Sequence, residues 1–320
     1  MKKLILCVAS LLLSAVWVNG AEPENFIPPQ SPQLLRANAN SIIRMEHFQQ
    51  LLKQTDEKCR KVFLLLDEMK KHNIEPAVFF AGEMWAAKTG SDDKNWVVLV
   101  KTALPEAKFA EFFKTQKASN KDVELEISTL AGKTIYTGKY SKSYQATGAE
   151  PFFVVYMAED VIAFMPLRDD SGIQLAALQQ GGGNPLARTI DRKSLAALAA
   201  NALKKKDKLR SIRGKLDMVG AEKLDICAEA VLTYKSASVA LRKAMEMQFI
   251  IPTVAGLLFG NDQKLMEEIT SPLQIVPNQE KVMLKFILTQ SVQEKIAAYF
   301  ANPANVPALN INPADLSNME

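Results

Sequence analysis

Residues Trp96–Phe113, WVVLVKTALPEAKFAEFF, join a largely apolar run to an amphipathic segment. The run Trp96–Thr102 has the length of a buried strand, and Pro105 stands where the first turn of a helix tolerates proline. Beyond it, Phe109 and Phe113 recur four residues apart, which is the spacing of one helix face. The sequence therefore predicts a strand that runs directly into a short helix.

A second stretch of the same type is Met283–Phe300, MLKFILTQSVQEKIAAYF. When Thr102 is set against Thr289, apolar positions fall opposite one another and both helices begin at the same offset. The shared letters are mainly packing residues. The similarity predicts an internal repeat in the way the chain is built, and it identifies no chemistry.

Pairs of alternating segments separated by turn residues surround these two stretches, and they predict hairpins. The pairs are 123–128 with 134–140, 152–157 with 161–164, 212–219 with 224–234, and 273–276 with 281–288. Apolar spacings of three and four residues predict a long helix from about residue 32 to 72, and an Ala- and Leu-rich helix over 193–203. Hairpins with helices between them favour antiparallel sheets covered on one face.

The predicted fold class is α+β: two tandem antiparallel sheets, each covered by helices, ferredoxin-like in parts and preceded by the long N-terminal helix. The glycine run 181–183 marks a linker over 181–191 between a domain at 34–180 and one at 192–301. Prolines predict a mobile leader at 21–33 and a disordered tail at 302–320.

The first 20 residues have the pattern of a secretory signal peptide. Lys2 and Lys3 precede an apolar run to Val18, and cleavage is expected between Gly20 and Ala21. We expect a periplasmic or extracellular protein without a transmembrane span after cleavage; an uncleaved anchor is the alternative. Removing two lysines lowers the formal charge from +4 to +2, so no basic surface for nucleic acid is expected.

Few residues are suited to catalysis or metal binding. The two histidines, His47 and His72, lie 25 residues apart in the predicted long helix, which disfavours a shared metal. Because the sequence has no histidine elsewhere, a hydrolase triad is not expected. Cys59 and Cys227 are interpreted as small buried side chains, with a disulfide as the alternative. No catalytic residue, metal ligand or cofactor is predicted. Turn carboxylates, at residues 92–93, 159–160 and 169–170, leave open a glycosidase-like pair.

The stretch Met245–Phe259, MEMQFIIPTVAGLLF, is apolar nearly all round. One interpretation is a core helix kinked at Pro252. The other is a face for a partner or an apolar ligand. The residues predicted for this face are Met245, Phe249, Ile250, Val254, Leu257 and Leu258.

Three segments carry a family resemblance: FFVVYMAEDVIAFMPL at 152–167, NPLARTIDRKSLAALAANAL at 184–203, and the strand–helix–hairpin–helix run over 224–300. They resemble uncharacterised exported bacterial proteins with a duplicated β–α–β–β unit. The resemblance implies the fold and no site residues. We expect a non-catalytic exported protein that binds a protein or envelope component. The alternatives are a glycan or cell-wall hydrolase using paired carboxylates and a carrier of lipid or another apolar ligand.

Overall fold

The computed structural model describes residues 21–45, 69–89, 95–119, 123–140, 151–201, 209–219, 225–259 and 262–301. Its contacts divide the chain into two compact units. The first contains residues up to 207 together with 211–215, and the second contains 208–210 and residues from 216 onward. The division therefore falls within the strand that begins at Leu209.

Strands and helices occur in the following order. Up to residue 201 they are a 3-10 turn Pro23–Phe26, β1 Gln33–Asn38, α1 Ala39–Arg44, α2 Pro76–Phe79, β2 Glu83–Lys88, β3 Trp96–Lys101, α3 Glu106–Ser119, β4 Val123–Leu130, β5 Lys133–Tyr140, β6 Phe152–Ala158, β7 Val161–Pro166, α4 Ser171–Gln180, a 3-10 turn Ala187–Thr189 and β8 Ala196–Asn201. After it come β9 Leu209–Val219, β10 Asp225–Tyr234, α5 Ala237–Phe259, α6 Gln263–Thr270, β11 Gln274–Asn278, β12 Lys281–Leu288 and α7 Gln290–Ala301.

All twelve strands belong to one antiparallel sheet, in the order β11-β12-β10-β9-β8-β1-β2-β3-β7-β6-β5-β4. The prediction of two tandem sheets is therefore wrong. The error arises at β8, which was predicted to be helical because alanine has the highest helix propensity. Instead β8 pairs antiparallel with β1, from Gln33 opposite Ala200 to Ala37 opposite Ala196. Tertiary pairing overrides the local preference.

The predicted long N-terminal helix is also wrong. Residues Gln33–Asn38 form β1, which lies between β2 and β8 in the middle of the strand order. The helical part that follows is α1, and residues 46–68 of the prediction lie outside the described ranges. The strand pairing also differs from that of a ferredoxin-like βαββαβ unit, whose helical crossovers join parallel strands, because β1 pairs antiparallel with β2 and β2 with β3.

In the first unit both faces of the sheet are buried, whereas the sequence predicted one covered face. On one face Met84 and Val100 pack with aromatic residues of α3, among them Phe109 and Phe112. On the other face Trp85 and Leu99 pack with a cluster that includes residues of α4. Strands β2 and β3 therefore carry buried side chains at both alternating positions, and for this reason they appear as continuous apolar runs.

Residues 21–31, the start of the predicted mobile leader, pack on this second face. Their 3-10 turn lies against β2 and β3, and Ile27 is fully buried. The buried side chain of Asn184 donates through Nδ2 to the backbone carbonyls of Pro28, Pro29 and Ser31 at 2.7–3.1 Å. This segment is thus built into the core of the first unit.

In the second unit one face of β10, β11 and β12 is covered by α5. Leu232, Ile275 and Val282 share that face and are buried, as the register of the three strands requires. A smaller cluster joins Phe259 at the end of α5 with Leu265 of α6 and with α7. The predicted hairpin of β11 and β12 is confirmed.

Both strand-to-helix passages predicted from the sequence are confirmed, as β3 followed by α3 and as β12 followed by α7. The threonines aligned between them have similar local roles. Thr102 Oγ1 accepts a hydrogen bond from Leu104 N at 3.0 Å, and Thr289 Oγ1 accepts one from Val292 N at 3.4 Å. The shared threonines therefore stabilise the turn into each helix.

Candidate binding surface on α5

The inner face of α5 consists mainly of small side chains. Ala240, Ala244 and Ala255 are buried against the second unit, and they let the helix axis approach the sheet closely. Gln248 Nε2 donates to the carbonyl of Ile275 on β11 at 3.2 Å, which fixes the rotation of the helix about its axis. The packing therefore determines which residues are left on the outer face.

That outer face carries large apolar side chains that are open to solvent. Leu241, Met245, Phe249, Ile250 and Val254 are 52%, 62%, 77%, 54% and 46% exposed. Leu241, Met245 and Phe249 are spaced by four residues and form one row along the helix, and Ile250 and Val254 form a second row about 100° around its axis. Together they expose roughly 500 Å² of apolar surface, which is as large as the largest patch on a typical monomer. We call these five residues the α5 face.

Four of the six residues predicted for a partner face belong to the α5 face: Met245, Phe249, Ile250 and Val254. Leu258 is half-buried and packs against the cluster around Phe259. The side chain of Leu257 lies outside what the structure describes. Sequence reasoning missed Leu241, although its position four residues before Met245 on the same helix was an available signal.

Charges on α5 are confined to its first half. Glu246 pairs with Arg242 at 3.5 Å and with Lys243 at 2.6 Å, and no charged residue follows before the end of the helix. Pro252 lacks an amide hydrogen, so the carbonyl of Gln248 cannot receive the usual helical hydrogen bond. The helix therefore carries charges beside the first part of the α5 face and none beside the second.

A second, smaller apolar surface lies on the side of the sheet opposite α5. Val276, Met283 and Ile287 are 46%, 39% and 37% exposed. The ion pair of Glu229 with Lys285, at 3.3 Å across β10 and β12, is on the same side. A mixed surface of this kind is typical of a solvated sheet face.

A surface groove of about 550 Å³ lies between residues 72–78, the turn at 103–105 and α3. It contains His72, whose ring meets Phe112 edge-on at 5.5 Å, with Glu75, Lys108 and Glu111. The three charged side chains are exposed to solvent. A catalytic pair needs groups held together away from bulk water, so this arrangement is that of a hydrated groove. His47 lies outside the described residues.

A shallower depression of about 580 Å³ in the second unit is lined by residues of α6 and α7, and its Glu268 and Lys295 pair at 2.5 Å.

The turn carboxylates considered for a hydrolase have different environments. Asp160 is buried and accepts a hydrogen bond from Lys101 Nζ at 2.9 Å. Glu159, Asp169 and Asp170 are exposed, and Asp170 is bonded to Gln174 of α4. Asp92 and Asp93 lie outside the described residues. Within the described ranges, no group of three or more His, Cys, Asp or Glu side chains is placed to hold a metal ion.

Two buried tyrosines support the β3–α3 passage. Tyr156 donates its hydroxyl to the carbonyl of Leu104 at 2.9 Å, and Tyr136 donates to Glu106 at 3.1 Å. Burial raises the pKa of both phenols above the ordinary value near 10, and the negative charge of Glu106 raises both further. Both hydroxyls stay protonated and act as donors, which is a structural role.

Among the described helices, none is long and apolar enough to cross a membrane. Compared with protein-family models, with curated proteins and with solved structures, the chain gives no match.

Proposed function

We propose that the chain is an exported, non-catalytic binding protein and that the α5 face is its docking surface for another protein. The observation that carries the proposal is the exposure of Phe249 (77%) and Met245 (62%) among the five apolar residues of the α5 face. Leaving such a face in water is unfavourable, by roughly 25 cal/mol per Å² of apolar surface. The signal-like pattern of residues 1–20 supports export.

The size of the α5 face fits a protein partner. A standard interface buries about 800 Å² on each side, of which roughly 60% is apolar. The roughly 500 Å² of apolar surface on the α5 face matches that share. Because the two cations of α5, Arg242 and Lys243, stand beside the first part of the α5 face, we expect a partner groove that is apolar and bordered there by carboxylates.

The same geometry favours docking over enclosure of a lipid. The α5 helix directs its largest apolar side chains outward and its alanines inward. The hydrolase alternative needs two carboxyl groups about 5–10 Å apart across a cleft, and no observation on the described turn carboxylates favours it. Asp160, the buried one, is already paired with Lys101.

The test places a photo-crosslinking amino acid at Phe249 in the exported full-length chain, in its native host. The matched control position is Ile173 on α4, which is 76% exposed but stands alone. We expect a discrete protein adduct from position 249 and none from position 173. Adding Leu241→Asp should reduce the adduct at least tenfold, because it puts a charge into the buried interface.

Equal labelling at positions 249 and 173, or an adduct unaffected by Leu241→Asp, would overturn the proposal. So would flotation of the purified protein with phosphatidylglycerol vesicles that depends on Phe249, since the α5 face would then be a membrane contact. An adduct with a second copy of the chain would identify the protein partner as the chain itself.

A further inference from the structure

A buried lysine at the end of β3 occupies a built site. Lys101 is 6% exposed, and its Nζ donates to Asp160 Oδ2 at 2.9 Å and to the backbone carbonyl of Ala21 at 2.6 Å. The aliphatic stem passes Gly82, where an added Cβ would lie 2.7 Å from Lys101 Cγ. The missing side chain at Gly82 makes room for the lysine.

Burying an ammonium group costs several kcal/mol unless it is paired and hydrogen-bonded. Here the pairing is with Asp160, and the additional acceptor comes from Ala21. Ala21 is also the residue that the sequence predicts will become the first of the mature chain. Two independent observations, a cleavage pattern and a buried polar site, thus point to the same residue.

The segment that follows Ala21 is fixed along its length. Asn25 approaches Gly181 so closely that a Cβ there would lie 2.7 Å from the Asn25 carbonyl oxygen, and Gly181 has φ +60°. Ile27 is fully buried, and Asn184 binds three carbonyls between Pro28 and Ser31. Cleavage at any bond within this segment would remove part of the core.

The charges at the site also favour a new N-terminus at Ala21. Lys101 lies 2.9 Å from Asp160 and 3.9 Å from Glu22, so one cation faces two carboxylates. An α-ammonium group on Ala21 adds the second cation and makes the cluster neutral. Attraction between ammonium and carboxylate groups is stronger where the groups are partly removed from water, so equal numbers of each stabilise such a site most.

We propose that Lys101, Asp160 and Glu22 form the site that receives the N-terminus created by export processing. A signal peptidase hydrolyses the Gly20–Ala21 bond with one water molecule, leaving a carboxylate on Gly20 and an ammonium group on Ala21. The ammonium joins the two carboxylates while Lys101 holds the Ala21 carbonyl. Cleavage of the signal segment thereby completes the ion pairs of this site in the first unit. The α5 face takes no part in this.

The first experiment determines the N-terminal residue of the exported protein by mass spectrometry and then follows its trimming by an aminopeptidase. We expect a chain that starts at Ala21 and resists trimming. Lys101→Met should raise the trimming rate at least tenfold, because two charge-assisted hydrogen bonds are lost. The matched control is Lys133→Met, since Lys133 Nζ also donates to a backbone carbonyl, that of Met157, but does not touch residue 21.

A start at any other residue, or equal trimming of the Lys101→Met and Lys133→Met proteins, would overturn the proposal. Because Lys101→Met also removes a buried ion pair, a variant that leaves the core intact is needed. Adding Gly-Ser before Ala21 moves the ammonium group about 7 Å without changing a core residue. We expect this extension to lower the Tm by about 3 °C, and an unchanged Tm would refute the role of the ammonium group.

Discussion

Arg36 provides the most decisive test of the energetics of the first unit. It lies on β1 and is 2% exposed, between Trp85 of β2 and Ala197 of β8 in the strand register. Its guanidinium donates to Glu83 Oε1 at 2.5 Å and to the backbone carbonyl of Ser194 at 2.7 Å. The perturbation is Arg36→Met, which keeps the aliphatic bulk and removes the charge.

The expected loss in free energy of unfolding depends on how well the remaining carboxylate of Glu83 is accommodated. Removing one partner of a buried ion pair costs about 3–5 kcal/mol, because the other charge stays uncompensated. Glu83 retains a hydrogen bond from Trp85 Nε1 at 3.0 Å, and about a quarter of its side chain (24%) is exposed. The lower end, about 3 kcal/mol, is therefore expected. Combining Arg36→Met with Glu83→Gln should recover about 1–2 kcal/mol relative to the sum of the single changes.

The assay is urea unfolding followed by tryptophan fluorescence. In the chain from Ala21 the tryptophans are Trp85 and Trp96, both in the first unit, so the signal reports on that unit. The control is Lys215→Met, which breaks the exposed 4.0 Å pair with Asp191 in the same unit and should cost less than about 1 kcal/mol. A loss for Arg36→Met no larger than the control's, or additive single and double variants, would refute the reasoning.

Three further outcomes are expected. Gly138→Ala should destabilise the chain by about 1–3 kcal/mol in the same assay, because the added Cβ would lie 2.6 Å from the ring of Phe152. The control is Gly172→Ala, which should cost nothing because the nearest atom to its Cβ would be at an ordinary 3.5 Å. Folding raises the pKa of Tyr156, so the unfolded state loses the phenol proton first as pH rises above about 10, and the free energy of unfolding falls. Tyr156→Phe should make this fall less steep between pH 9 and 11 in urea titrations. An unchanged dependence of the free energy of unfolding on pH would contradict the prediction. Asn184→Ala should cost about 2–4 kcal/mol and expose residues 28–31 to hydrogen exchange, because three carbonyls lose their donor; protection equal to wild type would contradict this.

Local patterns predicted the hairpins and the two strand-to-helix passages, because turn residues and side-chain periodicity determine them at short range. The single sheet could not be predicted, because it depends on the pairing of β1 with β8. Ala196–Asn201, AALAAN, has the composition of a helix. Pairing with β1 makes the extended form of this segment favourable, and the local sequence pattern carries no information about β1.

The α5 face was predictable only in part. The apolar character of Met245–Phe259 was visible in the sequence, but which of its residues point outward depends on how the alanines seat the helix on β11 and β12. The Lys101 site was harder still to predict from the sequence. Its partners Ala21, Gly82 and Asp160 are separated by up to 139 positions in the chain, and no spacing rule connects them.

The pairing of β1 with β8 has a consequence for how the chain folds during its synthesis. Gln33 and Ala200 become neighbours although 167 positions separate them. At about 5–20 residues per second, synthesis of that interval takes on the order of 10–30 s. Throughout that time β1 lacks one of its two neighbours, so the N-terminal half emerges with an open strand edge. In the export proposed above, a route that keeps the chain unfolded until its second half has arrived would protect this edge.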